Sequence, residues 1–560
     1  MPTTPDLILR NGKVITVDAE FSIAQAVAIA GDRVVAVGGD REVSALATKE
    51  SRFIDLAGKT VMPGLIDGHA HMDREGLKDV FPSLAGARSV AEVCDRIAAI
   101  ARTKRPGEWI VTMPVGEPPY YWDLPEALAE KRYPNRHDLD RAAPDNPVYI
   151  RSIWGFWRHT MPLVSIANSR ALALAGIDRY TVAPVSTIEI QRDFATGEPN
   201  GVFLEWTMMP MVELSLMKVA PGFRAEDRVD TLPRAMAAYH RFGTTSVFEE
   251  HGAAGELVRA YMESRRRGEL TMRTTLVASP NWGCVAPGTS PAALLEGWGS
   301  FLAGPGLGDD WLKLGGLILE VGGSPEHKLR LQSAPYTGWA GFNYDIALDR
   351  PRALEVMIEA ARLGIRVIGI WPYVIELFEE VNKVVPLRGR RWVLGHVSAL
   401  SPAQIEAVVR LDLVVTTHTN RYIYKEGHLL RERLGSTREN EISPLRTLRQ
   451  AGVPVSLASD NVPTSLFYPV WQAVSRYNRT VDGAVGAGEA LSREDALRSA
   501  TIDGAVVTFD ESKKGSIEPG KYADLAVLDG DPLSIALERL KDIRALATLV
   551  GGKLVHGELA

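Results

Sequence analysis

The chain has 560 residues, 46% of them hydrophobic and 24% charged, a composition that excludes disorder, collagen and a disulfide-knit scaffold and leaves room for a large core. Its 63 basic and 69 acidic residues give a formal charge of −6, with no Lys/Arg block to form a polyanion-binding stripe, so nucleic acid is not an expected partner. Only Cys94 and Cys284 occur, far apart in segments that read as helix and loop, which points to free structural thiols and a reducing compartment. No basic leader with an apolar run opens the sequence and no later run is long enough to span a bilayer, so the expectation is a cytoplasmic protein with no membrane partner.

In chain order, the first sixty residues read as short alternating strands broken by Asn-Gly and Gly-Asp turns: Leu7 to Arg10, Lys13 to Val17, Ala26 to Ala30, Arg33 to Gly38 and Ser51 to Asp55. The same texture returns at Ala523 to Leu528, Ala545 to Val550 and Lys553 to His556. Residues 1–60 and 515–560 are therefore expected to form one composite β-sandwich domain. Between them, eight short apolar runs end in polar residues: Val61 to His69, Thr244 to Glu250, Thr271 to Ser279, Trp311 to Glu320, Ile365 to Trp371, Arg391 to His396, Asp412 to His418 and Pro454 to Asp460. Helical patterns such as Arg352 to Leu363 and Pro402 to Arg410 follow them, and the count predicts a (β/α)8 barrel over 61–514, an α/β fold. Residues 72–228 interrupt the first unit as a long, aromatic and Pro-rich capping insertion.

The polar residues at the run ends carry the chemistry. In Gly64-Leu-Ile-Asp-Gly-His-Ala-His71 two imidazoles stand at i and i+2, and strand periodicity puts both on one face. At the C-terminal end of a barrel they converge as metal ligands; the plain alternative is two loop histidines. His396 and Asp460 close the sixth and eighth runs and complete a His/His/His/Asp set, although Asp460 before Asn461 and Pro463 could instead cap a turn. Lys313 lies inside an otherwise apolar run, where a neutral amine could take up carbon dioxide and become an anionic, carboxylated metal ligand, or else snorkel to solvent. Glu249-Glu250-His251 and His418 point to the same mouth as substrate contacts or proton shuttles. Trp154, Trp157 and His159 in the insertion, with Trp371 at the end of the fifth run, are the aromatic and polar candidates for substrate contact, Glu205 also being a pocket candidate.

Val61-Met-Pro-Gly-Leu-Ile-Asp-Gly-His-Ala-His, Ser459-Asp460, Thr501-Ile-Asp-Gly-Ala, Gly515-Ser-Ile-Glu-Pro-Gly-Lys-Tyr-Ala-Asp-Leu-Ala-Val-Leu and, in the insertion, Asn168-Ser-Arg-Ala-Leu-Ala-Leu-Ala-Gly and Thr196-Gly-Glu-Pro-Asn-Gly resemble the amidohydrolase superfamily, in particular its amidohydrolase family 3 or YtcJ-like branch. The resemblance runs nearly end to end. It implies a metal-dependent hydrolase of amide or related C–N bonds other than peptide bonds. It further implies one or two divalent ions, zinc before others, held by His69, His71, Lys313, His396 and Asp460, with Asp460 also the base and His418 assisting. One position departs from the family pattern: the fifth run, Gly364-Ile-Arg-Val-Ile-Gly-Ile-Trp-Pro-Tyr-Val, carries no histidine, which leaves one metal, or His418 or Glu250 as a substitute ligand. A small molecule bearing an aromatic or hydrophobic group is the expected substrate, and a homodimer or higher homo-oligomer the expected assembly. A lyase, isomerase or decarboxylase on the same centre, or a silent scaffold, are the alternative readings.

Overall fold

The computed structural model describes residues 4–118, 121, 124–158, 161–286, 288–322, 326, 329, 336–343 and 347–559. The chain divides into two compact units, one of Met1–Glu75, Leu232–Gly322 and Ile346–Ala560, the other of Gly76–Thr231 and Gly323–Asp345.

Two sheets of the first unit draw on the chain ends. Arg33–Gly38, Ala26–Ala30, Leu7–Arg10 and Arg52–Asp55 lie side by side in one; Lys553–Gly557, Ala545–Val550, Leu525–Leu528, Thr60–Pro63, Lys13–Ile15 and Ile23–Ala24 follow that order in the other. Leu525–Leu528 is antiparallel to Thr60–Pro63, with Val527 opposite Val61, so strands almost five hundred residues apart in sequence share a ladder. Leu9, Val27, Ile54, Val61, Leu525 and Leu549 bury their side chains in one cluster. That burial fixes the register, because a slip of one residue would turn these faces outward.

The rest of this unit is the barrel. Its strands are β1 (Leu65–Asp67), β2 (Thr244–Ala253), β3 (Arg273–Ala278), β4 (Leu312–Val321), β5 (Val367–Ile370), β6 (Val393–Gly395), β7 (Val414–Thr417) and β8 (Val455–Leu457). They pair in parallel from β1 through to β8, and Gly68 N donates to Leu457 O at 3.0 Å to join the two ends. Such strands are apolar on both faces, as parallel strands covered by helices must be. Phe248, Val277, Ile318, Ile368 and Val414 fill the inside, while Leu319, Leu394 and Val415 pack outward against Val356, Phe378 and Val408 of the helices. The helices begin where their sequences cap them. Asp349 accepts from Arg352 N ahead of Arg350–Arg362, and Ser401 with Gln404 forms a capping box ahead of Pro402–Arg410.

The first apolar run differs from its expected form. Val61 to His69 is not one strand: Thr60–Pro63 belongs to the terminal sheet and only Leu65–Asp67 to the barrel. Gly64 is the joint, its N–H donating to Asp524 O and the next to Gly243 O. A Cβ there would stand 2.1 Å from Thr245 Oγ1, so only glycine lets the chain pass from one sheet into the other.

The second unit is more than a loop-rich cap. It has a five-stranded sheet in the order Ile188–Arg192, Pro199–Glu205, Leu163–Ala167, Val148–Ile150 and Ile110–Thr112. Its own core includes Val93, Ile97, Leu139, Ile150 and Ile166, and it takes in Gly323–Asp345, a second excursion after β4. Among the described residues no helix is long and apolar enough to cross a membrane.

Candidate metal centre

The C-terminal ends of β1, β2, β6, β7 and β8 bring their polar residues together. His69 Nε2 and His71 Nε2 are 2.7 Å apart, and Asp460 Oδ1 lies 3.9 and 3.8 Å from them. On the other side of the same ring, His69 Nδ1 meets Glu250 Oε2. The rings of His418 and His396 stand 4.4 and 4.9 Å from that of His69 and 4.4 Å from each other. The donor atoms thus fall into two groups that share His69: His69, His71 and Asp460 in one, His69, Glu250, His396 and His418 in the other.

The backbone that achieves this is not a regular strand. β1 ends at Asp67, so His69 and His71 do not converge through strand alternation, as expected, but through a turn in which His71 has a φ of +48°. Trp371, His396 and Asp460 also sit in the left-handed region, at +74°, +56° and +51°. Such conformations cost about 1–3 kcal/mol each for a residue with a Cβ and persist only where the surroundings impose them. In β2 the pairing with β3 shifts register between Glu249 and Ala253. Glu249, Glu250 and His251 therefore escape strict alternation and all reach the cluster: Glu249 Oε2 lies 3.8 Å from His71 Nδ1, and the His251 ring 6.0 Å from those of His69 and His71. His251 Nε2 lies 3.2 Å from Glu320 Oε1 at the end of β4.

A further ring of contacts orients these groups. Asp67, fully buried, accepts from His69 N at 3.0 Å, from Ser459 N at 3.1 Å and from Ser459 Oγ, which ties the end of β1 to the end of β8. Thr416 Oγ1 donates to Glu250 Oε1. Tyr422 Oη lies 3.3 Å from His396 Nδ1, and the Trp371 ring 5.0 Å from the His396 ring.

Burial holds the imidazoles of His69, His71 and His396 well below the usual range, so each ring is neutral and presents a lone pair. It pushes the Glu250 carboxyl up to about 8, that of Glu249 to about 7, and raises Asp460 against the pull of Arg74, Lys425 and Arg421. His396 Nε2 is buried without a hydrogen-bond partner among the described residues. If Nδ1–H of His69 faces Glu250 and that of His396 faces Tyr422, both Nε2 lone pairs are left to a ligand. Neutral nitrogens beside carboxylates that are costly to ionise in isolation are the donor set a divalent cation satisfies. The residues present fit such an ion.

One expectation needs correction. Lys313 is no part of the cluster: it stands at the N-terminal end of β4, away from the strand ends that carry the histidines. Its Nζ donates to Thr508 O at 2.7 Å and to both Asp510 oxygens at 2.8 Å. The lysine in an apolar run is neither a carboxylated ligand nor a snorkelling one but half of a buried ion pair. Glu250, expected as a substrate contact or as a substitute ligand, is packed between His69 and Thr416 within the donor group. His418, expected as a proton shuttle or as a substitute ligand, stands in that same donor group. Trp154 and Trp157 are buried in the second unit, where Trp157 meets Trp339 at 5.2 Å and the Lys78 ammonium at 4.6 Å, and Trp154 meets Phe342 at 6.4 Å. Glu205 is also in that unit and accepts from Met211 N and Val212 N. His159 lies outside the described residues. Asp67 and Thr416 carried no expectation, although the place of Asp67 at the end of an apolar strand was a signal for it.

Fold and donor set together are those of a metal-dependent hydrolase. Residues 52–556 match the amidohydrolase family, and the chain belongs to it. It is 29% identical to N-substituted formamide deformylase of Arthrobacter pascens over 98% of both chains. It is 23% identical to the YtcJ protein of Bacillus subtilis strain 168 over 98% of this chain and 99% of that one. An uncharacterized metal-dependent hydrolase from Pyrococcus horikoshii has a similar fold, with a TM-score of 0.67 at 22% identity over 95% of this chain and 99% of the other.

Proposed function

We propose that this protein hydrolyses the amide or related C–N bond of a small molecule bearing an aromatic or hydrophobic group, with N-substituted formamides the first class to try. The observation that carries the reading is the convergence of His69 Nε2, His71 Nε2 and Asp460 Oδ1 within 3.9 Å at the mouth of the barrel. His69, His71 and Asp460 would hold one divalent ion, zinc in the first instance, and Glu250, His396 and His418 would share in it or hold a second. When bound, such an ion supplies Lewis acidity towards a carbonyl oxygen and brings water towards ionisation near neutral pH.

The chain's own groups do the rest. Asp460 accepts the proton of the attacking water on a carboxylate oxygen and returns it to the leaving nitrogen as the C–N bond breaks. Its carboxylate is the partly open member of the group, at 13% exposure beside 1% for His69, so it can face both solvent and substrate. Asp67 and Ser459 hold the two strand ends in register, which keeps Asp460 aimed at the histidines. Trp371, its ring 5.0 Å from that of His396, offers an aromatic face to a substrate ring. The whole-chain similarity to a formamide deformylase supports this substrate class.

The test is turnover of a panel of N-substituted formamides, other small amides and esters by zinc-loaded enzyme. Hydrolysis of at least one C–N substrate is expected, and Asp460→Asn should lower its rate about a hundred-fold to ten-thousand-fold with the fold unchanged. An Asp460→Asn enzyme within about three-fold of wild type would contradict the assignment of the base.

A further inference from the structure

The turn that carries the two histidines and the turn that carries the aspartate are both tied to one residue outside them. His71, Asp460 and Asn461 have φ values of +48°, +51° and +63°, so each turn relies on its surroundings to keep a side chain in the left-handed region. For His71 the decisive group is the peptide that precedes it. The orientation of that peptide sets the φ of His71, and its oxygen, Ala70 O, accepts from Tyr239 Oη at 2.8 Å. Ala70 N donates to Phe248 O of β2 at 3.2 Å, and His69 O accepts from Asp460 N at 2.9 Å. The Ala70 N–H is thus tied to a barrel strand, and the Ala70 carbonyl to a side chain.

The same phenol reaches the second turn. Tyr239 Oη accepts from Asn461 Nδ2 at 3.4 Å, and Asn461 Nδ2 also donates to Glu75 Oε2 at 3.0 Å. Tyr239 and Asn461 are both fully buried, where a hydrogen bond is strong and water does not replace a lost partner. One hydroxyl therefore donates to the residue between His69 and His71 and accepts from the neighbour of Asp460. Tyr239 lies in the last turn of the helix Ala225–His240. Side chains on a helix lean back towards its N-terminus, so Tyr239 points away from the start of β2 and along the barrel to the turn after β1. The helix end is itself anchored: His240 Nδ1 lies 2.8 Å from Thr244 O, and Thr548 Oγ1 donates to His240 O at 2.7 Å. A stiff side chain on an anchored base gives up little freedom in making these bonds.

We infer that Tyr239 is a positioning residue for the metal group: its hydroxyl fixes the turn of His69 and His71 against the turn of Asp460, and so sets the affinity with which these three residues hold a divalent ion. The inference rests on the reading of that group as a metal site. Without the hydroxyl, the Ala70–His71 peptide is free to rotate, His71 relaxes out of the left-handed region, and its Nε2 leaves its place beside His69 Nε2.

Zinc affinity, read by competition between the zinc-loaded full-length protein and a chromophoric chelator, tests it without recourse to turnover. Tyr239→Phe removes only the hydroxyl and should weaken zinc binding about ten-fold to a hundred-fold, with circular dichroism unchanged. It should also alter the visible absorption of the cobalt-loaded protein. Asn461→Gly, which removes the amide while still allowing the left-handed backbone, is the second variant and should weaken zinc binding in the same direction. Thr548→Val is the control, since it deletes a buried hydroxyl bond at the same helix end without touching either turn. It should lower the thermal midpoint and leave zinc affinity within about two-fold of wild type. A folded Tyr239→Phe or Asn461→Gly that binds zinc within about two-fold of wild type, or a Thr548→Val that weakens it as much as Tyr239→Phe does, would overturn the positioning role and leave the metal site in place. Wild-type protein that binds no zinc would overturn both.

Discussion

At Lys313 a residue that looks like chemistry in the sequence turns out to serve the fold. An ammonium in an apolar strand has to be paired or neutralised, and here Asp510 does the pairing, with Lys514 Nζ a further 3.2 Å from the same carboxylate. Lys313→Met should therefore destabilise the protein by about 2–4 kcal/mol, since Asp510 loses one of its paired cations, and should leave metal content unchanged. Urea denaturation and elemental analysis of the same preparation check both halves. His240 is a second buried residue away from the metal group, with Nδ1 2.8 Å from Thr244 O and Nε2 2.9 Å from Thr271 Oγ1. One nitrogen donates and the other accepts, the pattern of a neutral ring, and burial brings its pKa down to about 4. Below about pH 6.5 the unfolded chain takes up a proton that the folded chain refuses, so this contribution to stability is complete above that pH and is lost as pH falls towards 4. Between pH 7 and pH 5 wild type should lose about 2 kcal/mol more than His240→Gln, a side chain that also donates and accepts but does not titrate. Parallel denaturation curves at the two pH values measure the difference.

At the scale of elements, the terminal strands and all eight barrel strands could be placed from apolar runs ending in polar residues, because parallel barrel strands advertise themselves as continuous hydrophobic stretches. What could not be read was the break at Gly64. Periodicity is blind to which sheet a strand joins, and only the 2.1 Å approach of Thr245 Oγ1 to the missing Cβ shows why the chain turns there. Gly64→Ala should lower stability by about 1–3 kcal/mol, and adding Thr245→Gly should recover part of that loss; thermal denaturation midpoints of the two variants decide it. The site was legible in the same partial way. His396 and Asp460 are the first strongly polar groups after apolar runs, and His69 and His71 stand at i and i+2 just past another, so all four stood out. Glu250 reaches His69 through a register shift in β2, and Trp371 and His396 take left-handed backbone conformations. Those are tertiary outcomes with no period in the sequence. The absent histidine of β5 was legible as a gap, and its physical counterpart, His418 on β7 at 4.4 Å from His396, emerged only once the strands were arranged around the barrel.

For the whole molecule, barrel and terminal sheets make one unit with a single purpose at its C-terminal face, to hold neutral imidazoles and carboxylates within reach of one another. His69 belongs to both donor groups, with Nε2 turned to His71 and Nδ1 to Glu250. Its loss should empty both, whereas loss of a residue from one group should spare the other. The most direct measurement is therefore the metal content of chelator-free wild type and of His69→Ala, by elemental analysis after gel filtration, with circular dichroism to show that the barrel is intact. The account predicts about one to two equivalents of divalent metal, zinc foremost, in wild type, and less than about a tenth of an equivalent in the folded variant. Wild-type protein with less than about a tenth of an equivalent that zinc, manganese and cobalt all fail to restore, or a folded His69→Ala that retains full metal, would contradict it.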